Sequence, residues 1–340
     1  MAISYTPTTI YGPNLVPVLE EIFFENKTIA EGYCTFQDNI KSGTIFTDPS
    51  VSVTAQTYTG AALSSSGSIT LTDRTITLTK LEYKQTFLDE ALRASRFNRD
   101  MKKGAWNIES NEFASKVLGV YGPKVSADAE SLFWSGITSA TKTAIAALTP
   151  GAAQGSMTAA TQTAVAAMTA GPIDGIFARA LYDNGAIGGY TKVTGTTVTA
   201  ANIATEFGKI FAAITPTVMN AGDKDPVKIW APRAWKQLIY NANNAVGAAQ
   251  QVNFAVTGND FSTSKVYFQG IEVLFVPTQN NLMAYANNLS AVNWCTDMLE
   301  DYNKVEIGKV ANDGDTRFIR TIYAMQAHLA RATNGVLYGG

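Results

Sequence analysis

Between Gly43 and Leu81 hydrophobic positions alternate with polar ones, first in TIFTDPSVSVTAQTYTG and then in SSSGSITLTDRTITLTKLEY. Successive side chains on a strand point to opposite faces, so this period of two predicts a two-stranded ribbon. Ile69 and Leu71 share one phase and Ile76 and Leu78 the other, and the intervening Thr72–Arg74 reads as a bulge or turn. Threonine is abundant on both faces and large apolar residues are few. Such a ribbon cannot build a core of its own, since isolated two-stranded hairpins are marginal. Either it lies against another domain, or it projects and is held by another subunit through residues such as Tyr58, Leu63, Ile69 and Leu71.

The period then lengthens. Phe87, Leu88, Ala91 and Leu92 recur at helical spacing, and after the basic stretch Arg96–Lys103 the segment Trp106–Gly119 repeats it with Phe113, Val117 and Leu118. Gly119 and then Gly122-Pro123 are expected to end that helix, with a further piece at Ala129, Leu132 and Phe133 stopping near Gly136. Upstream, Pro13 and Pro17 predict an extended arm, followed by a short helix around Val16–Glu25. The Ala- and Thr-rich stretch Ile137–Ala170 mixes strong and weak helix formers and reads as a surface insertion at a domain boundary.

The second half alternates helix and strand. Ile203, Phe207, Ile210, Phe211 and Ile214 share a helix face, with Thr199 as the expected N-cap and Pro216 at the end. A short strand at Val227–Trp230 leads through Pro232 into a helix carrying Trp235, Leu238 and Ile239. Val266–Phe268, the turn Gln269-Gly270 and the alternating Ile271, Val273 and Phe275 form a hairpin. Val305 and Ile307, the turn Asn312–Asp315, and Ile319, Tyr323, Met325 and Leu329 form the last strands. The class is α+β, with Trp106, Phe113, Val117, Phe207, Phe211 and Trp235 as candidate core residues.

Composition narrows the possibilities. The 340 residues suffice for about two domains. Only 16% are charged, so neutral polar side chains must cover much of the surface, as suits a protein covered by neighbours, secreted, or built into a surface layer. A net charge of −2 supplies no general field toward nucleic acid. The clearest basic run, Arg93, Arg96, Arg99, Lys102 and Lys103, is interspersed with Asp89, Glu90 and Asp100; it reads first as a solvated face or an intersubunit ion-pair seam, with contact to DNA as the sharper alternative. The start of the chain has neither a basic region nor a continuous apolar run, so no secretory signal is expected, and no stretch is apolar enough to span a bilayer; we expect the protein to be made and used in the cytoplasm.

The residues offer little for chemistry. His328 is the sole histidine, and Cys34 and Cys295 are far apart, so the usual zinc sets, disulfide scaffolds and His-dependent triads have no framework. The cluster Gly185–Gly189 lacks the lysine and spacing of a phosphate loop. Asp223 and Asp225, like Asp313 and Asp315, match only a fragment of a calcium loop and are better explained as turn formers. No catalytic residue, metal or cofactor is expected.

The order of these features resembles the major capsid proteins of tailed double-stranded-DNA phages with the Hong Kong 97-type fold. KIWAPRAWKQLI (Lys228–Ile239) is similar to the strand–Pro–helix unit of their axial domains, VYFQGIEVLFVP (Val266–Pro277) to the strand–Gly–strand–Pro element, and Asn281–Val310 to the segment where a long strand begins. The resemblance implies an N-terminal arm (1–42), an extended β-hairpin loop (43–82), a spine helix and peripheral domain with the Ala/Thr-rich segment (83–170), an axial domain (171–292), and strands returning to the peripheral domain (293–340). It further implies hexamers and pentamers in an icosahedral virion shell assembled in the bacterial cytoplasm, a portal at one vertex, a separate scaffolding protein, double-stranded DNA as nonspecific cargo, and no membrane. A tail-tube, decoration or surface-layer subunit is the alternative.

Overall fold

The structure is a computed structural model and describes residues 8–11, 26–53, 67–88, 111–149, 158–182, 191–219, 225–246, 254–258, 261, 263–279, 281–297, 304–309, 316–330 and 334–339. Among these residues the chain forms two large sheets and one separate hairpin.

The organising element is a seven-stranded mixed sheet of β6 (Thr191–Thr194), β15 (Val336–Gly339), β11 (Met283–Asn288), β7 (Val227–Pro232), β10 (Ile271–Val276), β9 (Lys265–Phe268) and β8 (Phe254–Thr257), in that spatial order. Its central strands are apolar at consecutive positions because both faces are covered. Ile229 and Ala231, Val273 and Phe275, and Ala284 and Ala286 enter one core, while Trp230, Leu274, Val276, Met283 and Tyr285 enter another on the opposite face. The first core is closed by helices α6 (Ile203–Ala213) and α8 (Arg233–Val246). Phe207 and Trp235 are buried there and Phe211 is half-buried, as the helical periodicity requires. A short α7 (Pro216–Met219) follows α6. The N-cap of α6 is Asn202 and not Thr199: the Asn202 side chain accepts the Thr199 N–H at 2.7 Å, so Thr199 begins the preceding turn.

The second core lies against a six-stranded sheet built on the long β14 (Thr316–Leu329). Along one edge β14 pairs first with β13 (Lys304–Lys309) and then with β12 (Val292–Thr296); along the other it pairs with β5 (Thr79–Leu88). β1 (Thr8–Tyr11) adds to β13, and β2 (Thr35–Gln37) adds in parallel to β12. Strands from distant sequence thus meet in one sheet. The tail is divided between sheets, however: β15 joins the seven-stranded one, so the segment 293–340 does not return as a unit. Phe87 and Leu88 end the strand β5 and do not start a helix, because β14 offers a pairing edge throughout their segment.

Among the described residues α1 (Lys27–Ala30) is followed by the helix α2 (Asn111–Ser135), which runs unbroken through Gly119, Gly122 and Pro123. A proline ring collides with the carbonyl four residues back and with the Cβ of the residue before it. Here the residue before the proline is Gly122, which has no Cβ to crowd, so the expected stop becomes a tolerated interruption. The helix ends at Gly136, whose added Cβ would lie 2.5 Å from the Leu132 carbonyl oxygen and 2.8 Å from that of Ile173.

The Ala/Thr-rich stretch is no surface insertion. It holds α3 (Ser139–Ala146) and α4 (Ala159–Ala167), which pack on each other and place Ile145, Val165 and Met168 in the second core beside α5 (Ile176–Leu181). Threonine, poor inside helices, is used at their starts: the side chains of Thr138 and Thr158 accept the N–H groups of Thr141 and Thr161. No helix among the described residues is long and apolar enough to cross a membrane.

Candidate assembly surface

Among the described residues the strands β3 (Thr44–Val53) and β4 (Gly67–Ile76) pair only with each other, through ten antiparallel positions. The pairing runs without slip across Thr72–Arg74, where a bulge was expected: Thr72 opposes Asp48, Asp73 opposes Thr47, and Arg74 opposes Phe46. The change of phase between Ile69/Leu71 and Ile76 has another cause. The strand stays regular and its apolar residues change faces.

The register defines those faces. Ile45, Leu71 and Ile69 lie on one, with Leu71 opposite Pro49 and Ile69 opposite Val51. Ile45, Ile69 and Leu71 are 60%, 70% and 63% exposed. The other face roots the hairpin. Ile76 is buried, Phe46 lies 5.1 Å from the His328 ring, and Arg74 donates to the Leu329 carbonyl at 3.3 Å. The Gly43 N–H bonds to the Ile76 carbonyl at 2.7 Å, closing the base. The result is a ribbon fixed to the end of β14 on one face and presenting large aliphatic side chains to water on the other. Covering such side chains releases about 25 cal/mol per Å² of apolar area, so this face favours association.

Beneath the base the sheet is tightly tied. Tyr121 on α2 donates to the Tyr83 carbonyl at 2.9 Å, and the Tyr83 and Tyr323 rings stack at 5.8 Å. Burial, followed by the proximity of Tyr323 and Asp128, pushes the Tyr83 phenol well above its ordinary range, so it stays neutral. The two cores are joined by a buried carboxylate. Glu130 on α2 accepts the Thr28 hydroxyl at 2.8 Å and the Arg233 guanidinium at 2.9 Å, and Trp134 donates to the Thr28 hydroxyl at 2.7 Å. Trp230 reaches across to the Tyr33 carbonyl at 2.9 Å.

Of the residues singled out in the sequence, Ile69 and Leu71 come together on the exposed face. Tyr58, Leu63, Trp106 and the basic run Arg93, Arg96, Arg99, Lys102 and Lys103 lie outside the described residues, as do the helix expected around Val16–Glu25, Gly185–Gly189 and the turn 312–315. Phe113 and Val117 fall within α2, where their side chains are not among those described. Ile45 was missed, although its parity with Pro49 and Val51 marks it. Cys34 and Cys295 are buried free thiols, and burial raises both, Cys295 to about 12. Asp225 accepts the Ser290 N–H at 2.9 Å, a tie between segments distant in sequence where a local turn bond was expected. Among the described residues no group of three or more His, Cys, Asp or Glu is placed to hold a metal.

No protein-family model matches the chain, and no curated protein does. Solved structures do. The satellite phage P4 procapsid, solved including size determination (Sid) protein, superposes with a TM-score of 0.57 at 10% identity, over 99% of this chain and 93% of that one. The capsid of an empty GTA particle gives 0.52 at 11% identity, over 92% and 90% of the two chains. Gordonia phage Cozz gives 0.50 at 11% identity, over 92% and 86%. The chain therefore shares the α+β fold of these capsid structures.

Proposed function

We propose that this chain is a major capsid protein: a non-enzymatic subunit that assembles with copies of itself, as hexamers and pentamers, into the icosahedral head of a tailed phage. The observation that carries this reading is the hairpin. An outward face bearing Ile45, Ile69 and Leu71, fixed to the body by Phe46, Arg74 and Ile76, suits burial by a neighbouring subunit. The capsid-like fold supports the same conclusion, and the small charged fraction suits surfaces that become interfaces. In this role a separate scaffolding protein and a portal are partners, double-stranded DNA is enclosed without sequence preference, and the mature location is the virion.

The test is assembly. The double variant Ile69→Asp, Leu71→Asp should purify as a folded subunit with an unchanged circular dichroism spectrum. By sedimentation and negative-stain imaging it should fail to form the closed shells that the unaltered protein forms with its scaffold. Normal shells from this variant would overturn the proposal.

A further inference from the structure

A cavity of about 590 Å³ opens where the two cores meet, between α1 and its following turn on one side and β10, the start of α8, Phe261 and Thr263–Lys265 on the other. Its lining is unusually basic for a chain with a net charge of −2. Lys27, Lys228, Arg233, Lys236 and Lys265 line it, against only Glu31 and Glu272. Counting Glu130, which holds Arg233 from behind, the described residues here still leave two positive charges in excess. Lys228 and Lys265 share the single carboxylate of Glu272, the latter at 3.3 Å. Burial alone would push that carboxyl up, but the two lysines outweigh it and the net shift is downward, so Glu272 stays ionised and holds both ammonium groups at the cavity.

The remaining wall is apolar and partly uncovered. Phe261 is 48% exposed, its ring 4.8 Å from that of Tyr240, and the Lys236 ammonium lies 5.1 Å from the Phe261 ring and 5.8 Å from the Phe275 ring. Leu274 and Leu289 complete this side. Cations beside an exposed aromatic wall in one concavity match a ligand that carries carboxylates and a large apolar side chain within a few residues.

We infer that this junction cavity is a docking site for an acidic peptide segment of a partner protein, one that alternates carboxylate and large aliphatic or aromatic side chains. A nucleic acid fits less well. Its regularly spaced phosphates need a track of positive charge, whereas these cations surround one concavity and are interrupted by Glu31 and Glu272. Because the segment would touch both α1 and α8, its binding also braces the two cores against each other. This inference goes beyond shell building and is tested on the free subunit.

The probe is a short fluorescein-labelled peptide alternating Glu and Leu, titrated by fluorescence anisotropy at about 0.15 M salt. Saturable binding with a Kd on the order of 10–100 µM is expected, weakened at least about tenfold when every Glu of the peptide becomes Gln or when the subunit carries Lys27→Glu with Lys265→Gln. Both lysines are more than half exposed, so the fold should persist, and a denaturation midpoint checks it. Should that variant misfold, Phe261→Ser on the opposite wall replaces it, with about fivefold weaker binding expected. Absence of saturable binding, equal affinity for the Gln peptide, indifference to the substitutions in a folded variant, or tighter binding of a mixed-sequence single-stranded oligonucleotide would each overturn the inference. The same variants should still form shells, so failure here and failure of the shell assignment are separable.

Discussion

Two hairpins in this molecule begin from similar patterns and end in opposite environments. In β9–β10, Val266, Phe268, Val273, Leu274, Phe275 and Val276 are all buried; in β3–β4, Ile45, Ile69 and Leu71 stand in water. The turn of the first is Gln269-Gly270, both at positive φ (47° and 86°), a geometry that matches strand twist and favours a tight two-residue connection. The larger difference lies in the second face. β10 is apolar at four consecutive positions and can be covered from both sides, by the helices α6 and α8 on one and the second core on the other. At Ile69 and Leu71 β4 is apolar at alternate positions, with threonine between them, so there one face asks for cover, and none of the described residues supplies it. Period two predicts a strand; whether the subunit itself buries it depends on the residues in between.

The largest expected effect breaks the buried hairpin. Phe268 has ring neighbours Phe254 at 5.0 Å, Phe207 at 5.5 Å and Phe211 at 6.3 Å, drawn from β8 and α6, which cannot all collapse into the space a ring would leave. Phe268→Ala should therefore cost about 3–5 kcal/mol of unfolding free energy. Urea denaturation of the free subunit measures it, and a loss below about 1 kcal/mol would show that this hairpin is as loosely held as the other.

A smaller effect sharpens the contrast from the polar side. On the exposed hairpin Thr47 donates to Asp73 in water, where such a bond contributes little. In the seven-stranded half Glu206 is 3% exposed and accepts from the Tyr338 hydroxyl at 2.8 Å, the Thr196 hydroxyl at 2.9 Å and the Lys209 ammonium at 2.9 Å. Burial alone would raise its pKa, yet these donors and the lysine charge outweigh burial and hold it below the ordinary value. A carboxyl with a depressed folded pKa contributes stability that is fully present above its unfolded value of about 4.3 and is lost as pH falls through the folded value. Glu206→Gln should consequently be less stable than the unaltered protein at pH 7, and its stability should fall less steeply below about pH 4.3. Parallel stability–pH curves for the two proteins would remove Glu206 from this account.

How far the sequence could be read follows the same logic of local pattern against distant cover. The helix faces of Phe207 and Trp235, and the β9–β10 hairpin, were legible because their periodicity and turn chemistry are local. Phe87 and Leu88 misled because helical spacing over two turns is short, and their strand exists through pairing with β14, more than two hundred residues away. Pro123 misled because the residue before it is Gly122, whose missing Cβ removes one of the clashes by which proline usually ends a helix. The Ala/Thr stretch misled because threonine's low helix propensity was counted without its capping role at Thr138 and Thr158. Of the candidate surface, Ile69 and Leu71 could be found by composition. The face they share with Ile45 needed the register, and the junction cavity, assembled from α1, β10 and α8, has no sequence signature at all.

The smallest expected effect returns to the exposed hairpin. Leu71→Ala removes methyl groups from a side chain that is 63% exposed in the subunit, so little apolar area leaves or enters water on unfolding. Substitutions at such surface positions usually change stability by no more than about 0.5 kcal/mol. The backbone pairing of Leu71 with Pro49 does not depend on the side chain, and the anchors at Phe46, Arg74 and Ile76 lie on the other face. The denaturation midpoint of the free subunit should therefore be unchanged within error, in contrast to the loss for Phe268→Ala at a strand of similar pattern. A loss above about 1 kcal/mol would mean that another part of the same subunit already covers this face in solution, which would remove the main physical ground for assigning it to a neighbouring subunit.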